Sequence, residues 1–120
     1  MGLIALFVLS TLSLDEKYWV GRGRKQLPAI LAALVMSEIF DFASAYRLIY
    51  SGTHSSFNEA MGPVASIYFS VSTWTTTGFG DIHPNTSVAR LIVSTELVFA
   101  VVTVLTVLTT AVNKAFSRTK

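Results

Sequence analysis

Long apolar runs broken by short polar stretches set the pattern of this chain. Three of the runs are residues 1–14 (MGLIALFVLSTLSL), 27–50 (LPAILAALVMSEIFDFASAYRLIY) and 88–112 (VARLIVSTELVFAVVTVLTVLTTAV). A helix rises about 1.5 Å per residue and the hydrocarbon core of a bilayer is about 30 Å thick. The second and third runs are long enough to cross it, whereas the first reaches only roughly 21 Å. A shorter apolar run, residues 64–75 (VASIYFSVSTWT), follows Pro63 and cannot span. The pattern predicts an all-α membrane protein with an outer helix, a short re-entrant helix and an inner helix. Residues 1–14 read as a truncated or extended extra N-terminal helix. A signal-peptide core is the other reading, but a basic start and an A-x-A-like cleavage site are missing.

The two long runs each carry acid. Glu38 and Asp41 stand three apart in the first and so share a face, while Glu96 is the one charge away from the ends of the second. An acid at membrane depth costs about 2.5–3.5 kcal/mol on an insertion scale and is expected to face protein or water. For Glu38 and Asp41 the plain reading is bonding to neighbouring helices, and the sharper one a part in ion passage. Pro28 opens its run, where a first helical turn tolerates it.

Composition agrees with a lipid environment. Apolar residues make up 52% and charged residues 13% of the 120, against about a quarter charged in a soluble domain. The net charge is +2, carried in two clusters: Lys17, Arg22, Arg24 and Lys25 before the outer helix, and Lys114, Arg118 and Lys120 after the inner one. Lys and Arg near span ends mark the cytoplasmic side. Both clusters therefore lie inside and residues 51–87 outside, as two crossings between them require. This distribution speaks of orientation, not nucleic acid. Cysteine is absent, which excludes disulfides and thiolate metal sites. No paired His, Cys or acid cluster has metal or nucleophile spacing, so neither an enzyme nor an organic cofactor is expected.

Between the spans, residues 51–62 (SGTHSSFNEAMG) are loop-like. Pro63 then starts a helical stretch without later breakers. Its β-branched residues also suit a strand, but a lone open strand in lipid leaves backbone groups unpaired. In Thr76-Thr77-Gly78-Phe79-Gly80-Asp81 the glycines alternate with bulkier residues. Glycine takes positive φ cheaply, and an alternating chain can turn successive carbonyls to one side. Non-helical backbone at membrane depth survives only where it lines a wet cavity or is packed in protein. Rings of such carbonyls would replace the water shell of a cation, and the Thr76 hydroxyl can add one more ring.

The stretch TTTGFGD resembles the signature of potassium channels, whose filter reads TVGYG. Threonine takes the valine place at Thr77 and phenylalanine the tyrosine place at Phe79. The likeness extends over residues 67–101 (IYFSVSTWTTTGFGDIHPNTSVARLIVSTELVFAV), which are similar to small bacterial two-helix channels. Shared features are the aromatics of the short helix, the proline four places after the last filter glycine, and the start of the inner helix with Ala89, Arg90, Leu91 and Glu96 (ARLIVSTE). Residues 1–25 lie outside the likeness.

The resemblance implies a pore domain over residues 27–114: outer helix 27–50, outer loop 51–62, pore helix 63–75, filter 76–80 and inner helix 87–113. Residues 1–26 would precede it as an apolar segment and basic cytoplasmic loop, and 115–120 would form a short basic tail. Thr76, Thr77, Gly78, Phe79 and Gly80 would be the filter, holding bound K⁺ at Thr76, Thr77, Gly78 and Phe79. Asp81 would accept a hydrogen bond from Tyr68, whose alternative is a place in an interfacial aromatic belt. Ser72 stands where some relatives carry a carboxylate behind the filter. Trp74 and Phe69 would wedge the filter from behind as core packing, with no cofactor implied.

Glu96 would be a buried strut behind the filter, or else a pore ligand. Ala100 occupies the place of a hinge glycine in many relatives. By register with the family, Ala100, Val101, Val104, Leu108 and Val112 would line or gate the path, and Thr103, Thr106 and Thr110 form a competing stripe. His83 and His54 are surface imidazoles, with a proton-sensitive mouth as the further reading of His83.

The implied assembly is a C4 homotetramer, multi-pass in the cell membrane among lipid, conducting monovalent cations. A non-selective cation channel is the near alternative, because Thr77 leaves selectivity open. A small membrane-anchored regulatory or binding protein is the alternative of another class. No helix repeats Arg every third residue, so no voltage sensor of the usual kind is expected, and the gating stimulus stays open. The chain reads as a minimal pore or as a piece of something longer.

Overall fold

The computed structural model describes residues 27–116, as three helices: α1 (Leu27–Gly52), α2 (Pro63–Trp74) and α3 (Ser87–Phe116). The expectations for residues 1–26 and 117–120, including most of the basic clusters, lie outside the described residues. α1 runs two residues past the expected end, stopping at Gly52, and α3 three, through a stretch without Gly or Pro. Among the described residues one helical stretch, Ser87–Thr109, is long and apolar enough to cross a membrane. No strand forms among them, and α2 settles the helix-or-strand choice for its segment.

The chain divides into two compact units after Asp41, inside α1. In the first, Glu38 is buried and Asp41 exposed. Three helical positions advance about 300°, so the two carboxylates stand about 60° apart around the axis. They share a side of the helix but not a degree of burial.

In the second unit the start of α2 follows from local chemistry. Gly62 caps it in extended conformation without a side-chain bond, and Pro63 enters the first turn, where its missing N–H costs nothing. The Ser66 N–H and hydroxyl both return to the Gly62 carbonyl, at 2.9 and 2.8 Å. Ser66, Phe69, Ser70 and Thr73 lie on the buried side of α2 at helical spacing.

Aromatic rings hold α2 in place. Tyr46, Phe57 and Phe69 meet edge to face in a closed triangle, with centroids 5.1–5.6 Å apart. Such pairs add about 0.5–1.5 kcal/mol each beyond area burial. Phe42, Met61, Ile82 and Ala89 complete the cluster. It joins the end of α1, the connecting loop, α2 and the start of α3. On α3 the buried positions Ala89, Glu96 and Ala100 form one stripe, and Leu91, Val98, Val101, Val104, Leu105 and Leu108 are exposed elsewhere.

Candidate functional site

Residues 76–80 leave the C-terminal end of α2 and stay tied to it. The N–H of Thr75 donates to Val71 O at 3.0 Å, and that of Thr76 to Thr73 O at 2.9 Å. The N–H groups of Thr77 and Gly78 both donate to Ser72 O, at 2.9 and 3.2 Å. These bonds supply partners for helix-end carbonyls that otherwise have none. Donors of the segment are thus drawn towards α2. Among the described residues, the carbonyls of Thr76, Thr77, Gly78, Phe79 and Gly80 accept no hydrogen bond.

The backbone alternates in hand. φ is +56° at Thr76, +55° at Gly78 and +80° at Gly80, with no positive value at Thr77 or Phe79. Alternation of this kind lines successive N–H groups along one edge and so leaves the carbonyls along the other. A Cβ at Gly78 or Gly80 would meet no atom within 4 Å. In the single chain, glycine is therefore required by conformation and not by space. Thr76 adopts the same hand without being glycine, a feature the glycine pattern alone did not reveal.

Side chains brace the segment from the α2 side. The Thr75 hydroxyl lies 2.8 Å from Val71 O and 2.8 Å from the Thr77 hydroxyl. With its own proton on Val71 O, Thr75 accepts from Thr77. Ser72 is buried, its hydroxyl donating to Phe69 O at 3.0 Å, and it serves the segment through its carbonyl. Trp74 is half-buried. Phe69 is core packing, as expected, and stands in the aromatic triangle with Tyr46 and Phe57 on the core side of α2.

At the outer end the Tyr68 hydroxyl donates to Asp81 Oδ2 at 2.7 Å. That bond holds the Asp81 carboxyl below its ordinary range and raises the Tyr68 phenol above its own. Phe79 stacks on Tyr68, with ring centroids 6.0 Å apart and planes 12° apart. One ring of α2 therefore contacts both the segment and the acid after it.

Glu96 is fully buried and joins three helices. Tyr46 from α1 donates its hydroxyl to Glu96 Oε2, and Ser70 from α2 donates to Oε1 at 2.5 Å. The carboxylate thus braces α1, α2 and α3 against one another within the chain; its partners Tyr46 and Ser70 carried no sequence signal. Ala100 departs from the set expected to line a path. It is 2% exposed, so it faces the interior of its own chain, whereas Val101, Val104, Leu108 and Val112 are exposed. On the competing stripe the Thr106 hydroxyl is taken up by Val102 O at 2.8 Å, and the side chain of Thr110 lies outside the described residues.

His54 packs its ring on Tyr50 at 5.0 Å. His83 is exposed and is held through its backbone by Asn58, a residue that sequence reasoning passed over.

Comparison with known proteins places this geometry in context. The sequence model of the ion channel family matches residues 31–117. No curated protein and no solved structure matches the chain.

Proposed function

Because this chain belongs to the ion channel family, we propose that four copies of it form a potassium-selective pore. The proposed assembly crosses the cell membrane more than once per chain and conducts passively through residues 76–80. One observation carries the reading: five consecutive carbonyls accept no hydrogen bond among the described residues while the backbone alternates in hand. Rings of carbonyl oxygens can replace the hydration shell of K⁺. One chain supplies one such edge, and identical subunits meeting head to tail close into a ring.

Two further features support the reading. The C-terminal end of a helix carries a partial charge of about −0.5, and the segment emerges from that end of α2, which favours a cation nearby. The Thr77 hydroxyl is bonded to Thr75, so Thr77 can present its carbonyl as an apolar residue would. This favours potassium selection over the non-selective alternative. No covalent chemistry is involved.

Flux from vesicles tests the proposal. Purified protein in K⁺-loaded vesicles is expected to release K⁺ rapidly in a barium-sensitive way, with Na⁺-loaded vesicles far slower. Gly78→Ala is expected to abolish release, since alanine is strained by about 1–2 kcal/mol in a left-handed conformation. Retained flux in that variant would remove residues 76–80 from the conduction path.

A further inference from the structure

The segment after the glycines is held by a second device, contributed by the outer loop. Asn58 uses both ends of its side-chain amide there. Its Nδ2 donates to the Asp81 carbonyl at 2.6 Å, and its Oδ1 accepts from the His83 N–H at 2.6 Å. Its own backbone N–H donates to His83 O at 3.2 Å. The amide has only one orientation that works. A main-chain N–H only donates and a main-chain carbonyl only accepts, so Oδ1 must face His83 and Nδ2 must face Asp81.

This contact is anchored at its base. Phe57, next to Asn58, is 3% exposed in the aromatic core and pairs with Pro84 as an isolated bridge. Ser56 O accepts the Asn85 N–H at 2.8 Å. On the facing stretch Ile82 is buried in the same core. Asn58 therefore projects from one anchored stretch towards another.

Asp81 follows Gly80, whose φ is +80°, a residue type with little conformational preference of its own. The peptide after Asp81 is bonded to Asn58 through its oxygen, and the carboxylate of the same residue to Tyr68. Two elements thus grip the exit of the carbonyl segment from two directions. We propose that Asn58 is a positioning residue that holds the outer end of residues 76–80 in its ion-coordinating form. The role rests on the conduction reading above and is separate from that of Tyr68.

Recording K⁺ current from reconstituted protein at low and high external K⁺ tests the role. Asn58→Asp keeps an acceptor for the His83 N–H but removes the donor to Asp81 O, and Asn58→Ala removes both. Losing the bond to Asp81 O predicts current decay roughly two- to tenfold faster at low external K⁺ in Asn58→Asp, and losing both bonds predicts decay at least as fast in Asn58→Ala. High external K⁺ should restore the parent rate, because bound ions then brace the segment. A purely structural loss would not follow the K⁺ concentration. The uncharged alanine variant separates the lost bond from the charge that aspartate adds.

Should Asn58→Ala fail to assemble, the near-isosteric Asn58→Asp carries the test. Decay equal to the parent in the variants that assemble, with the parent conducting, overturns the role of Asn58 and leaves the conduction reading standing. No K⁺ flux in the parent overturns both.

Discussion

Thr76 is a β-branched residue at φ +56°, a conformation that such side chains rarely adopt and that costs about 1–3 kcal/mol. The N–H of Thr76 on Thr73 O and the next two on Ser72 O hold it there. Thr77 shows how one neighbour decides the meaning of a side chain. Its hydroxyl donates to Thr75, so Thr77→Val is expected to leave the K⁺-to-Na⁺ permeability ratio within about twofold of the parent. Thr75→Val strands that hydroxyl and is expected to lower the ratio; bi-ionic potentials measure both.

The pair at the exit sets a pH window. Asp81 has its carboxyl lowered by the Tyr68 bond, so the stabilisation is present above its unfolded value and lost as pH falls through the lower folded one. Tyr68 is raised, first by the same bond, so its part is complete below the ordinary tyrosine value of about 10 and lost only above it. Conduction that depends on this pair is expected to be flat from about pH 5 to 9. A titration of current in parent and Tyr68→Phe reads it: steps confined to the Tyr68-containing protein inside that range would contradict the assignment.

At the scale of elements, α2 is positioned by two different means. The aromatic triangle fixes its lateral place, and Glu96 fixes it to α1 and α3 through Tyr46 and Ser70. A hydroxyl left buried without its acceptor costs about 1–3 kcal/mol. Glu96→Ala removes the acceptor of two and is expected to lower the melting temperature in detergent markedly. Glu96→Gln keeps one acceptor oxygen and is expected to fall between. Tyr46→Phe keeps the ring in its triangle and loses one bond to the carboxylate, about 1.5–3 kcal/mol. The order of the three melting temperatures checks the strut; Glu96→Ala equal to the parent would exclude it.

For the whole molecule, the exposed apolar surface of α3 is large: Val98, Val101, Val102, Val104, Leu105 and Leu108 are all open in the single chain. Lipid and neighbouring copies are the environments that cover such a surface in the proposed assembly. The expected particle, after correction for detergent, has the mass of four 13.1 kDa chains. Light scattering coupled to size exclusion measures it, and a monomer in every detergent that keeps flux would exclude the ring.

Much of this was legible in the order of residue types, because hydrophobic period, proline and glycine act locally. Pro63 and the breaker-free run after it announced α2, and Gly78 and Gly80 announced the alternating backbone, since positive φ is a property of the residue itself. Tyr68 and Asp81 were matched through family resemblance. Contacts between distant residues have no local signature. Tyr46 and Ser70 on Glu96, Asn58 on Asp81, the inward turn of Ala100 and the ring partners of Phe69 were decided only when the helices packed. Asn58 and Asp81 are 23 positions apart, and nothing in either neighbourhood favours the other until Phe57 and Ile82 enter one core.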